Sequence, residues 1–182
     1  MKLTQQFLSL GKKARGMNGE PVYFTKPIDR IIIHWIGPYP GQGVTTPQNW
    51  WENGGDGAGV QASAHFIAKD ENVLQCLPLN EVGKHSGDSR NYSSIGIEVI
   101  PMNTEGEFSE ATKNTLKELV AYIRGQTKTD LKLERHFDCT QGKDCPRFYT
   151  PVTSLLHGGG RVANPPGGDE RWEELKQFLN EI

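Results

Sequence analysis

The sequence predicts an α/β fold in a single domain, with a mixed central β-sheet and α-helices packed on its faces. Two runs rich in β-branched residues, IDRIIIHW at 28–35 and SIGIEVI at 94–100, read as strands inside a sheet. Between them, 61–68 and 73–77 flank the polar tetrad Lys69-Asp70-Glu71-Asn72 as an antiparallel hairpin. After them, Leu116, Leu119, Val120 and Ile123 recur at the spacing of a helix lying on a sheet. A chain of 182 residues is the length of one ordinary domain and buries roughly 70% of the surface its unfolded form exposes.

In chain order, residues 1–27 carry Phe7, Leu8 and Leu10, but Gly11, Gly16 and Gly19 interrupt any long element, so a short helix or a wrapping arm is expected. Pro27 and Gly37-Pro38 bound the first strand, a fully buried central one, and His34 stands at its end, where strands open onto clefts. Residues 37–60 are loop apart from one short helix, with Thr46 as N-cap, Pro47 at the first helical position and Gly54-Gly55 as the stop. Core packing is the favoured role of Trp50 and Trp51, and a carbohydrate or peptide platform is the other. The alternation of 94–100 sets Ile95, Ile97 and Val99 on one face and Gly96 and Glu98 on the other; a carboxylate in so apolar a strand is either paired or functional. Ser109 caps a helix over 110–124 that Gly125 ends, and a short stretch at 131–134 leads into a loop at 135–146. Residues 151–168, rich in Gly and Pro, run irregularly, and Asp169 caps a last helix that turns Trp172, Leu175, Phe178 and Leu179 inward.

Composition narrows the function classes. With 35% apolar and 23% charged residues the chain suits a soluble, loop-rich globular protein, and a net charge of -2 creates no field that would gather nucleic acid or anionic lipid. No window approaches the roughly 18 apolar residues of a membrane span. The N-terminal MKLTQQFLSLGKKARG places its basic residues after a broken apolar stretch, the wrong order for a secretory signal, so synthesis and accumulation in the cytoplasm are expected. Three cysteines, an odd set at irregular spacing, fit a reducing compartment rather than a disulfide framework.

The chemistry gathers in RHFDCTQGKDCP at 135–146, where an imidazole, an ammonium and a thiol fall on a segment punctuated by Gly142 and Pro146. His136 and Cys145 are read as two ligands of a catalytic zinc whose third ligand lies far upstream, with Lys143 over the substrate. A histidine in an apolar strand is more often a satisfied core residue than a ligand. Together with the loop, however, His34 completes two nitrogens and one sulfur, and catalytic zinc commonly takes three protein ligands and keeps a fourth position open. A cysteine hydrolase with Cys145 as nucleophile and His136 as base is a competing reading. Cys76 and Cys139 are read as ordinary thiols, and His157 as exposed and outside any motif.

The segments IIIHWIG, SAHFIAKDENVLQCLPLNE, GKHSGD, SSIGIEVI and RHFDCTQGKDCP, in that order, resemble the type 2 family of zinc-dependent N-acetylmuramoyl-L-alanine amidases, which share a fold with peptidoglycan recognition proteins. The likeness covers about 28–150, leaving 151–182 as a C-terminal extension of the one domain, and is strongest to phage endolysins and autolysins. The resemblance implies that His34, His136 and Cys145 bind zinc, that Glu98 takes a proton from water and passes it to the leaving amine, and that Lys143 stabilises the oxyanion. It places His65, His85 and Trp35 along the substrate groove. One branch of the family carries a catalytic tyrosine where this chain has Ala64, which leaves proton transfer to Glu98. Two departures stand out: nine positions separate His136 from Cys145, one more than the family pattern, which calls for a bulge near Cys139-Thr140-Gln141, and Lys84 stands where the groove motif often has an aromatic. Asp138 and Asp144 are candidates for outer partners of the ligands. The implied substrate is bacterial peptidoglycan, cut between N-acetylmuramic acid and L-alanine. The implied protein is a monomer with no nucleic-acid or membrane partner that reaches the wall through a lesion made by another protein. A peptidoglycan-binding module without catalysis is the alternative; such modules characteristically lose the cysteine ligand, which this chain keeps.

Overall fold

Ile31, Ile32 and Ile33 have no solvent exposure, which requires cover on both faces of the strand that carries them. The computed structural model, which describes residues 1–16, 18–37, 39–54, 61–140, 143–151, 153–155 and 161–181, supplies it. Strands β1 (Lys2–Gln5), β2 (Arg30–Trp35), β3 (Phe66–Lys69), β4 (Asn72–Gln75), β5 (Ser94–Val99) and β6 (Lys132–Arg135) form one mixed sheet in the order β1-β4-β3-β5-β2-β6. β2 runs parallel to both β5 and β6, β3 runs parallel to β5, and β3 and β4 form the expected antiparallel hairpin. That hairpin is shorter than expected, since only Phe66–Lys69 and Asn72–Gln75 pair, with Asp70 in the left-handed region (φ 48°) at the turn.

Helices α2 (Glu110–Thr127) and α4 (Gly168–Asn180) cover one face. Leu116, Leu119, Val120, Ile123, Trp172, Leu175 and Leu179 pack there with Ile31, Ile33, Ile95, Ile97 and Val99. The terminal helix therefore shares the core of the sheet. On the opposite face Trp51 of α1 (Thr45–Glu52), with Leu8 and Ala14 of the N-terminal segment, packs on Ile67 and Leu74. The two tryptophans of α1 part company, Trp51 being buried and Trp50 42% exposed.

Several local expectations are corrected. The N-terminus forms neither helix nor wrapping arm at residues 2–5, where β1 pairs in parallel with β4 at the sheet edge. The N-cap of α1 is Val44, without a side-chain cap bond, and Thr46 lies inside the helix. Helix α2 passes through Gly125 and stops at Lys128, which takes the left-handed conformation (φ 54°) that glycine was expected to supply; the Ser109 cap holds, its hydroxyl accepting from the Thr112 N–H at 3.1 Å. The 135–146 segment opens with a helical turn, α3 (His136–Cys139). A two-stranded ribbon, β7 (Thr153–Leu155) with β8 (Arg161–Ala163), interrupts the tract expected to be irregular. Gly167 (φ 79°), not Asp169, caps α4. The expectations placed on Pro38, Gly55, Gln141, Gly142 and His157 lie outside the described residues. No described helix is long and apolar enough to cross a membrane.

Candidate metal centre

The parallel strands β2, β5 and β6 bring their C-terminal ends to one rim of the sheet, the place where α/β sheets open a crevice. His34 pairs in register with Glu98 across β2 and β5, so the two side chains share the face turned away from α2 and α4. β6 ends at Arg135 and α3 begins at His136, which swings that imidazole over the end of β2. The N–H of Phe137 donates to the carbonyl of Cys145 at 2.7 Å, closing the 135–146 segment so that the thiol returns to the same point.

His34, His136 and Cys145 lie together. His34 Nδ1 lies 2.9 Å from His136 Nδ1 and 3.8 Å from Cys145 Sγ, and the three ligand atoms fall within 4.8 Å of one another. Zinc bonds of ~2.0–2.3 Å at tetrahedral angles place ligand atoms ~3.3–3.6 Å apart, so the 2.9 Å pair would open and the 3.8 Å pair would close on binding, and it is by its chemistry, borderline soft and buried, that this donor set fits that ion. All three side chains are at most 7% exposed.

Both imidazoles are held from behind. His136 Nε2 faces the Ser86 carbonyl at 3.1 Å, which fixes the proton there and leaves Nδ1 as a lone-pair donor. His34 Nε2 meets Nδ1 of His85 at 3.0 Å, and His85 Nε2 faces Ser94 Oγ at 3.4 Å. The Ser94 hydroxyl donates to the Arg90 carbonyl at 2.6 Å, and the Arg90 guanidinium donates to the Cys139 carbonyl in α3 at 2.6 Å. The chain of contacts that leaves His34 thus returns to the helical turn that carries His136. Gly96 makes room for it, because a Cβ there would sit 2.5 Å from His85 Cγ.

Burial pushes the His34 and His85 imidazoles well below their usual range, with neighbouring imidazoles adding to the shift, so both are neutral near pH 7. Burial raises the Cys145 thiol well above its usual value, with the Glu98 carboxylate as a further contribution. The same burial pushes Glu98 up to about 8, against the pull of the Lys143 ammonium. A divalent cation would return the thiol and the carboxyl to their charged forms beside the neutral imidazoles. Glu98 Oε1 lies 3.9 Å from His34 Nδ1 with its side chain 17% exposed, so it reaches both the donor set and solvent.

Of the remaining expected residues, Lys143, His85 and Trp35 line the cleft of about 360 Å³ above the donor set. The Trp35 indole is fixed by donating to the Asp144 carbonyl at 3.0 Å. His65 is a correction: it has no solvent exposure and both ring nitrogens are committed, Nδ1 accepting from the Gly96 N–H at 3.1 Å and Nε2 donating to the Glu81 carbonyl at 2.8 Å. It braces the site face of the sheet from below the groove. Asp138 serves Arg135 rather than a ligand, at 2.8 Å. Arg135 went unnoticed in the sequence, yet it also donates to the Tyr149 carbonyl at 2.6 Å and to Asp169 of α4 at 2.7 Å, tying the ligand-bearing turn to the last helix. Ser86 and Ser94 carry no signal in the sequence, while Gly96, placed there only on the face of Glu98, carries one: a glycine inside so apolar a strand marks a close approach. Cys76, Cys139 and Cys145 are all free and buried.

Known proteins resemble this chain in sequence and in fold. The family described as N-acetylmuramoyl-L-alanine amidase matches residues 24–148. The N-acetylmuramoyl-L-alanine amidase XlyA of Bacillus subtilis (strain 168) is 30% identical over 152 residues, covering 80% of this chain and 49% of its own length. CwlH of the same organism, also an N-acetylmuramoyl-L-alanine amidase, is 33% identical over 109 residues, covering 57% of this chain and 43% of its own. The chain therefore spans about half the length of these relatives or less. Among solved structures, the catalytic domain of XlyA superposes with a TM-score of 0.69 at 23% identity, covering 99% of this chain and 100% of that one. PlyL gives 0.71 at 17% identity, covering 98% and 97%. The structures agree in fold, and the match across 24–148 places this chain in the N-acetylmuramoyl-L-alanine amidase family.

Proposed function

We propose that the chain is a zinc-dependent peptidoglycan hydrolase that cuts the amide between N-acetylmuramic acid and L-alanine of the stem peptide. The observation that carries this reading is the convergence of His34 Nδ1, His136 Nδ1 and Cys145 Sγ, with Glu98 and Lys143 in the same cleft. These five residues would form the working site of one domain spanning 1–182, acting on the wall as a monomer.

Zinc, when bound, supplies a Lewis acid that polarises a carbonyl and brings the pKa of a water ligand towards roughly 7. The rest falls to the chain. His34 and His136, held by His85 and the Ser86 carbonyl, would offer Nδ1 to the ion. Glu98 takes the proton of the attacking water on its carboxylate and returns it to the leaving nitrogen. Burial raises the Glu98 pKa above the usual carboxylate range, and the charge of a nearby divalent cation would draw it back down, leaving the carboxylate form that accepts the proton. The Lys143 ammonium faces the charge that builds on the carbonyl oxygen. Trp35 walls the cleft beside the reacting atoms.

A cysteine hydrolase is disfavoured by the buried thiol, which the neighbouring carboxyl drives further towards its protonated form. Metal analysis joined to mass spectrometry of digested peptidoglycan tests the proposal. About one zinc per chain is expected, with new L-alanine amino termini, no new reducing sugars and loss of activity on chelation; activity that survives removal of zinc would overturn it.

A further inference from the structure

The cleft has two unlike flanks that meet at the donor set. On one side a hollow of about 490 Å³ is walled by Tyr39, Trp50 and Trp51 and shares Trp35, Ala62 and Glu98 with the metal cleft. Tyr39 and Trp50 are 58% and 42% exposed, and among the described residues no cationic side chain lines this side. On the other side the cleft passes into a smaller hollow of about 160 Å³ next to Asn91 and Tyr92, and the residue common to both is Lys84.

Lys84 is unusually placed for a lysine. Its backbone is pinned, the N–H donating to Ser63 Oγ at 3.3 Å and the carbonyl accepting from the Ser63 N–H at 3.1 Å, while its ammonium donates to the Lys13 carbonyl at 3.0 Å. Among the described residues no carboxylate stands within 4.0 Å of that ammonium. Half-burial nonetheless pulls its pKa below the usual range, a cost that an incoming carboxylate would relieve.

We infer that Lys84 reads a free carboxylate on the stem peptide, so that the glycan lies on the aromatic flank and the peptide on the Lys84 flank. This rests on the amidase reading and deepens it. The two sides of the scissile amide differ in the same way as the two flanks. A sugar is uncharged and lays its C–H face on aromatic rings, whereas the stem is acidic wherever its glutamate α-carboxyl or a diaminopimelate carboxyl is left unamidated. In an extended stem, the second residue lies about two Cα spacings of ~3.8 Å from the start of the peptide, within reach of a lysine on the cleft wall.

Three N-acetylmuramoyl stem peptides separate the sources of that carboxylate: second-residue glutamate with a free α-carboxyl and lysine third, the same peptide amidated at that carboxyl, and the amidated form with diaminopimelate third. Steady-state kinetics should give the native protein a KM about tenfold lower for a free-carboxylate form than for the fully amidated one, the scale of one charge-assisted hydrogen bond. A lower KM for the first peptide assigns the contact to residue two, and for the third to residue three. Lys84→Gln should erase the difference by raising KM, and Lys84→Arg should restore it, with zinc content and melting temperature confirming that each variant is folded. Equal KM values for all three peptides with the native protein, or an equal loss on all three in Lys84→Gln, overturn the inference. Calorimetric Kd values for the corresponding free peptides report on Lys84 without turnover. If no substrate is cleaved the amidase reading fails, while a carboxylate preference in Kd that vanishes in Lys84→Gln still upholds the contact and equal Kd values still overturn it.

Discussion

Glu98 shows how a single strand position is brought to a candidate site. Its own strand alternation turns it away from the core, the register with His34 brings it to the donor set, and burial raises its pKa to about 8. Replacing it as Glu98→Gln keeps the shape and removes the proton acceptor, so kcat should fall by about 10²–10⁴-fold with zinc content unchanged; undiminished turnover would take Glu98 out of the mechanism. His65 makes the opposite case. Burial lowers its pKa to about 4 from the ordinary imidazole value of 6.5, so between these values the unfolded chain binds a proton that the folded chain refuses. Its contribution to stability is therefore complete above pH 6.5 and is lost as pH falls through about 4, amounting to roughly 3 kcal/mol. Denaturant titrations in chelator between pH 7 and 4 should show a shallower decline for His65→Asn than for the native chain, and identical slopes would contradict this. The sequence could nominate both residues as chemically loaded, but only the three-dimensional partners of His65, the Gly96 N–H and the Glu81 carbonyl, show that its nitrogens are already committed.

Elements with a long, regular pattern were legible, and those ruled by neighbours were not. β2, β5, α2 and α4 announce themselves through runs and stripes that a core must cover. β1 does not, because KLTQ is four mostly exposed residues whose extended form is imposed by pairing with β4. The end of α2 was misplaced at Gly125 because a glycine on an exposed helical face is tolerated at a cost of about 1 kcal/mol while Ile123 beneath it is held in the core. α3 is too short to carry a period at all. β5 holds the most exacting demand, at Gly96. A Gly96→Ala methyl would collide with His85 and push it off His34, so about 10–100-fold weaker zinc binding is expected, with stability lowered by roughly 1–3 kcal/mol. Competition with a calibrated chelator reads the first effect; native affinity in the variant would show that His85 does not position the ligand.

At the scale of the molecule, the rim that carries the donor set is assembled from segments 102 residues apart in sequence, and Arg135 joins that rim to α4. Its guanidinium holds Asp138, Asp169 and the Tyr149 carbonyl, and lies over the rings of Phe137 and Trp172. Arg135→Leu strands those acceptors and should lower the unfolding free energy by about 2–4 kcal/mol in a denaturant titration, while also weakening zinc binding; a loss below about 0.5 kcal/mol would reduce the cluster to a surface contact. The donor set was readable because ligand chemistry restricts residue types, whereas this brace was not, since an arginine next to a ligand looks the same whether it faces water or a helix. The contacts running from His34 through His85, Ser94, Arg90 and Cys139 to the turn of His136 form a closed frame, triangulated like a truss, in which no member is loaded alone. Opening such a frame at one joint already frees the others, so the losses in zinc affinity from His85→Ala and Ser94→Ala should combine to less than their sum, and the stiffness of the metal centre belongs to the circuit rather than to any bond in it.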